Sequence, residues 1–78
     1  MEETIIYQNI GKKIKYLREK NKFTQEKLAE KCGLSIDYIG KIEVCINKPG
    51  LKAIIKIANA LGVKINDIFD FKIFILFY

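Results

Sequence analysis

The chain has 78 residues, half of them hydrophobic, with one proline, a net charge of +5 and a sequence pI near 9.3. That length makes one domain, only marginally able to bury a core of its own, and the apolar content excludes a disordered polar tail. The basic balance favours an acidic partner such as nucleic acid.

Cys32 and Cys45 are the only cysteines, they form no CxxC pair, and the chain has no histidine. Those residue types give no zinc site, so neither metal nor cofactor ligands are expected. Cys32 falls where a small buried apolar residue serves, which reads as a reduced core thiol and places the chain in the cytosol. The N-terminus carries Glu2 and Glu3 in place of a basic region and an apolar run, so no secretory signal is expected. An enzyme is the least supported class: there is no serine or cysteine with a base nearby, no phosphate-binding glycine loop and no cluster of carboxylates.

In chain order, Thr4 is positioned to cap a first helix from about Ile5 to Lys20, with Ile6, Ile10, Ile14 and Leu17 as its apolar stripe. Lys12, Lys13, Lys15 and Lys20 fall mostly on its wet side, Asn21 is expected to end it in the left-handed conformation, and Phe23 to plug into the core. Thr24 caps a second helix that carries Leu28, Ala29 and Cys32 inward and stops at Gly33, with Leu34 folding back. Ser35 starts a third, in which Ile39, Ile42 and Ile46 recur at helical spacing while Ile36, Asp37, Gly40, Lys41 and Val44 face outward. After Pro49 and Gly50, a fourth helix is built on Leu51, Ile54, Ile55, Ala58 and Leu61 and closes at Gly62. A short fifth runs from about Ile65 to Phe69, with Val63, Ile68 and Phe69 packed beneath it. The expected fold is an all-α, five-helix domain over residues 1–70, followed by the apolar segment FKIFILFY at 71–78. Helix, glycine turn, helix can present its second helix to the DNA major groove, but spacing alone does not separate that arrangement from a plain helical hairpin.

The run from Thr24 to Glu43, T-Q-E-K-L-A-E-K-C-G-L-S-x-x-Y-I-x-K-I-E, closely resembles the lambda-repressor-like, Cro-type helix-turn-helix family. Ile10 to Arg18 is similar to that family's first helix, and Ile57 to Val63 to its fourth helix and the turn after it. The resemblance covers about residues 10–69. It implies a transcriptional regulator, expected to be a repressor, that binds double-stranded DNA as a homodimer on a palindromic operator. By the same resemblance Arg18 and Glu43 form an ion pair that sets the angle between the first and third helices, and Gln25 holds a phosphate. Ser35, Ile36, Asp37, Gly40, Lys41, Asn47 and Lys48 complete the expected DNA-binding set. Lys41 can donate to guanine O6 and N7, Asp37 can accept from cytosine N4 or serve the helix dipole, Ile36 can touch a thymine methyl, and Gly40 allows close approach.

Past Glu43 the sequence departs from the family pattern. Cys45 stands where glycine usually ends the third helix, at a cost of about 1 kcal/mol if the left-handed region is forced on it. Of the polar residues in that loop only Asn47 and Lys48 remain for backbone contact, which predicts weaker or less salt-sensitive binding. The segment 71–78 has no family counterpart. It is too short to span a bilayer and must pair with its twin, pack on its own core or meet another partner. A protein-binding module that keeps the fold and uses this tail and the Val44–Ile46 run is the alternative to DNA binding.

Overall fold

The computed structural model describes residues 2–71, and the elements it forms over them are five helices: α1 (Glu3–Lys20), α2 (Gln25–Cys32), α3 (Ile36–Glu43), α4 (Leu51–Leu61) and α5 (Ile65–Ile68). Residues 72–78, most of the expected tail, lie outside the described part. Phe71, its first residue, packs against the core.

The helix ends follow local chemistry. Thr24 Oγ1 accepts from the Lys27 amide and Ser35 Oγ from the Tyr38 amide, each at 3.0 Å, satisfying a donor the first turn leaves orphaned. Gly33 and Gly62 take φ of 69° and 70°, the left-handed conformation that lets the next amides bond back to the helix they leave. α1 starts earlier than its sequence suggests: Glu2 occupies the N-cap without a side-chain hydrogen bond, and Thr4 lies inside the helix. At its other end Asn21 stays right-handed, its Nδ2 donating to Leu17 O at 2.8 Å. The left-handed residue is Lys22, φ 61°, and that turn allows the Phe23 amide to donate to Arg18 O.

The core is formed by Ile10, Ile14 and Leu17 from α1, Leu28, Ala29 and Cys32 from α2, Ile39 and Ile42 from α3, Ile54, Ile57, Ala58 and Leu61 from α4, and Ile68. Phe23, Leu34 and Val63 are partly buried against it. Three sequence assignments are corrected. In α4 the buried residues are Ile54, Ile57, Ala58 and Leu61, so the stripe runs i, i+3, i+4, i+7 through Ile57, and Leu51 and Ile55 are exposed. Ile46 points out at 68% exposure because α3 has already ended at Val44. Phe69, at the end of α5, is 41% exposed and does not pack beneath it.

α1 and α3 meet at Gly11. A Cβ there would lie 2.4 Å from Ile42 O and 3.0 Å from Glu43 O, so backbone of α3 occupies the space a side chain would need. Gly11→Ala must therefore push the helices apart, and is expected to lower stability by about 3 kcal/mol in urea denaturation.

Cys45 takes φ 62°, so the third helix does end in the left-handed turn that glycine usually makes. The turn is closed by the Ile46 amide donating to Lys41 O at 2.8 Å. Cys45→Gly is expected to stabilise the fold by about 1 kcal/mol, seen as a higher denaturation midpoint at an unchanged slope.

Candidate nucleic-acid interface

α3 is anchored from below by a buried ion pair. Arg18 Nε donates to Glu43 Oε2 at 2.6 Å and Nη2 to Oε1 at 3.1 Å, the two-pronged geometry that matches a planar guanidinium to a carboxylate. The third prong, Nη1, donates to Phe23 O at 2.8 Å, and so ties the pair to the loop that leads into α2. Both residues are buried, and no buried side-chain nitrogen or oxygen among the described residues lacks a hydrogen-bond partner. The expected pair is present, and it fixes α3 against α1.

Gln25, at the start of α2, joins the same cluster. Its Nε2 donates to Glu43 Oε1 at 3.1 Å, which uses one of the two amide hydrogens expected to face phosphate. Sequence reasoning missed this bond, since nothing in the spacing of residues 25 and 43 indicates it. It missed the close approach at Gly11 too; the signal available there was a glycine inside a helix, which usually has a packing reason.

The outward face of α3 carries Ile36, half exposed, with Asp37 and Lys41 one turn apart. Lys41 Nζ lies 3.0 Å from Asp37 Oδ2 in an exposed pair that contributes little to stability and is easily exchanged for another partner. Gly40 lies on this helix close to Gln25. A Cβ at Gly40 would sit 3.5 Å from Gln25 Oε1, an ordinary contact, so the protein's own packing does not require glycine there. Ser35 holds the N-terminal end of α3 through its cap, with its hydroxyl hydrogen left to donate elsewhere.

Asn47 and Lys48 follow in the loop to α4. The Asn47 amide donates to Lys41 O at 3.2 Å, which keeps it at the end of α3. Lys48 turns toward α1, 3.6 Å from Glu3 Oε1 and 5.5 Å from the centre of the Tyr7 ring. The lysines of α1 also divide. Lys12 borders a shallow depression of about 230 Å³ with Gln8, Glu43, Val44 and Cys45 at the end of α3. Lys13 instead donates to Asp70 O at 3.2 Å, beyond α5. Cys32 takes no part: burial pushes its thiol above the ordinary range, partly offset by Lys56, so it stays protonated near neutral pH.

Two short helices set at a glycine turn, with the second pinned from beneath and bare on its outer side, form the helix-turn-helix frame. A family model described as helix-turn-helix matches residues 14–68. The chain belongs to the lambda-repressor-like helix-turn-helix family. Over 60 residues it is 47% identical to an HTH-type transcriptional regulator of Methanocaldococcus jannaschii, a match spanning 77% of this chain and 91% of that protein. Over 62 residues it is 42% identical to the control protein C.BamHI of Bacillus amyloliquefaciens, spanning 78% of this chain and 76% of the relative. Its fold is similar to the crystal structure of the restriction-modification controller protein C.AhdI from Aeromonas hydrophila. The TM-score is 0.79 at 30% identity, over 81% of this chain and 96% of that one. As a member of this family the protein is a DNA-binding transcriptional regulator. Among its described residues no helix is long and apolar enough to cross a membrane.

The pinning of α3 can be tested by removing one partner of the ion pair. Glu43→Ala leaves Arg18 charged and buried and releases Gln25, which is expected to cost about 3–5 kcal/mol in chemical denaturation. A cost below about 1 kcal/mol, the range of exposed pairs, would contradict the structural role given to the pair.

Proposed function

We propose that the protein acts as a repressor that binds double-stranded DNA as a homodimer, with the outer face of α3 in the major groove. The observation that carries this reading is the contrast between the two sides of α3: Ile39, Ile42 and Glu43 are buried, while Ile36 and Asp37 are exposed and Lys41 makes only an exposed ion pair. Ile36 offers an apolar contact to a thymine methyl, and Lys41 donors to guanine, once its exposed pair with Asp37 opens. Asp37 accepts from cytosine N4. Gln25, through its remaining amide hydrogen, and Ser35, through its hydroxyl, hold phosphates at the N-terminal ends of α2 and α3. Asn47 and Lys48 add backbone contacts on the far side, Lys48 after leaving Glu3. One such domain reads only a few base pairs, so two copies on half-sites a helical turn apart supply the affinity. The restriction-modification controller and control proteins to which the chain is similar support a regulatory setting of this kind.

Gly40 supplies the sharpest test. Inside a helix, alanine is preferred to glycine by about 1 kcal/mol, and the space over Gln25 admits a methyl. Gly40→Ala is therefore expected to stabilise the fold while weakening binding to a duplex selected from a random library, about tenfold or more if the methyl meets the groove edge. Unchanged affinity would remove α3 from the groove.

Binding to random-sequence duplex, followed by fluorescence anisotropy, is expected to weaken as salt rises, and Lys48→Ala to lower the salt slope by about 1. A salt-independent signal would contradict phosphate contact.

A further inference from the structure

The two ends of α3 differ in what they offer to a strand of phosphates. At the N-terminal end the helix dipole is positive, and the Ser35 hydroxyl and the Gln25 amide supply donors beside it. At the C-terminal end the dipole is negative, and from Val44 to Gly50 the loop holds one basic residue, Lys48. A phosphate strand on that flank is held only if the rest of the fold brings a cation to it.

α1 brings one. The close approach at Gly11 sets this helix against Ile42 O and Glu43 O, so the residues around the glycine stand beside the end of α3. Gln8 and Lys12, one turn apart and both exposed, line the depression of about 230 Å³ together with Glu43, Val44 and Cys45. Lys12 differs from the cations around it. Lys41 and Lys48 lie against Asp37 and Glu3, and Lys13 donates to Asp70 O, whereas among the described residues Lys12 forms no ion pair. Glu43, the one acid in the depression, already has Arg18 as its counter-ion and accepts from Gln25 as well, so its charge is offset where Lys12 stands.

We infer that Lys12, with the Gln8 amide beside it, binds a backbone phosphate of the strand that passes the C-terminal end of α3. It thereby replaces the basic residues that the loop after Glu43 lacks. A lysine on α1 stands outside the groove that α3 enters, so this contact sets affinity and register and adds nothing to the reading of sequence. The inference rests on the DNA reading and adds to it a phosphate contact from a helix outside the helix-turn-helix pair.

The test is fluorescence anisotropy across a salt series, with a random-sequence duplex and with a duplex selected from a random library. Lys12→Gln removes the charge at an exposed helical position that glutamine suits. It is expected to lower the salt slope by about 1 and the affinity near 0.1 M salt about fivefold, equally on both duplexes, with the urea midpoint unchanged. Lys12→Arg is expected to restore slope and affinity. Lys56→Gln, at an exposed position of α4 near Cys32, is expected to change neither. A slope for Lys12→Gln equal to that of the unaltered protein, while Lys48→Ala still lowers it, overturns the contact and leaves the DNA reading standing. An equal fall for Lys56→Gln also overturns it, because the effect would then be one of net charge. Salt-independent binding by the unaltered protein overturns the DNA reading and the inference together.

Discussion

The arrangement of this protein depends on how one carboxylate is held. Glu43 lies buried at the end of the third helix, and among the described residues its side-chain donors come from other helices: two from Arg18 on α1 and one from Gln25 on α2. Desolvating a carboxylate is expensive, and only a full set of charge-assisted hydrogen bonds makes its burial tolerable. The consequence is geometric. α1, α2 and α3 satisfy Glu43 together in a placement that brings Gly11 against the backbone of α3. Glycine permits the approach, and the ion pair selects it.

Function follows from what this leaves on the other side. A recognition helix must be rigid and also bare, because a residue that packs inward has nothing to offer a base edge. α3 meets both conditions through a simple division: Ile39, Ile42 and Glu43 are buried and hold it in place, while Ile36 and Asp37 are exposed and the Lys41 side chain makes only an exposed ion pair. The price is paid locally, in a glycine inside the helix and in a left-handed cysteine just past its end. The division of basic residues is also informative. Lys41 and Lys48 are both loosely held by exposed acids, Asp37 and Glu3, and loosely held cations exchange readily onto phosphate or base.

Much of this was legible in the sequence. Thr24, Gly33, Ser35 and Gly62 mark helix ends by local chemistry, and local chemistry does not depend on the rest of the fold. The Arg18–Glu43 pair was legible only through the resemblance to a known family, since 25 residues separate the partners. The misses share one cause, which is tertiary context. In α4, Leu51, Ile54, Ile55 and Ile57 are all apolar, so the pattern does not say which stripe faces inward, and packing chose the one through Ile57. Asn21 was the better local candidate for a left-handed residue, yet Lys22 adopts it, because the Phe23 carbonyl must reach Arg18 and the Phe23 amide must return to α1. Gln25 was assigned to phosphate through the resemblance to a known family, and its bond to Glu43 shows that it belongs to the support of α3.

The central claim is that α3, held by Glu43, meets DNA with its outer face. The most direct measurement is the change in backbone amide NMR signals of labelled protein on adding a short duplex at low salt. The account predicts shifts concentrated at Gln25, at Ser35 to Lys41 and at Asn47 and Lys48, with Leu51, Ile55 and Phe69 unmoved. Shifts centred on Leu51 and Phe69, or no shifts at all, would contradict it.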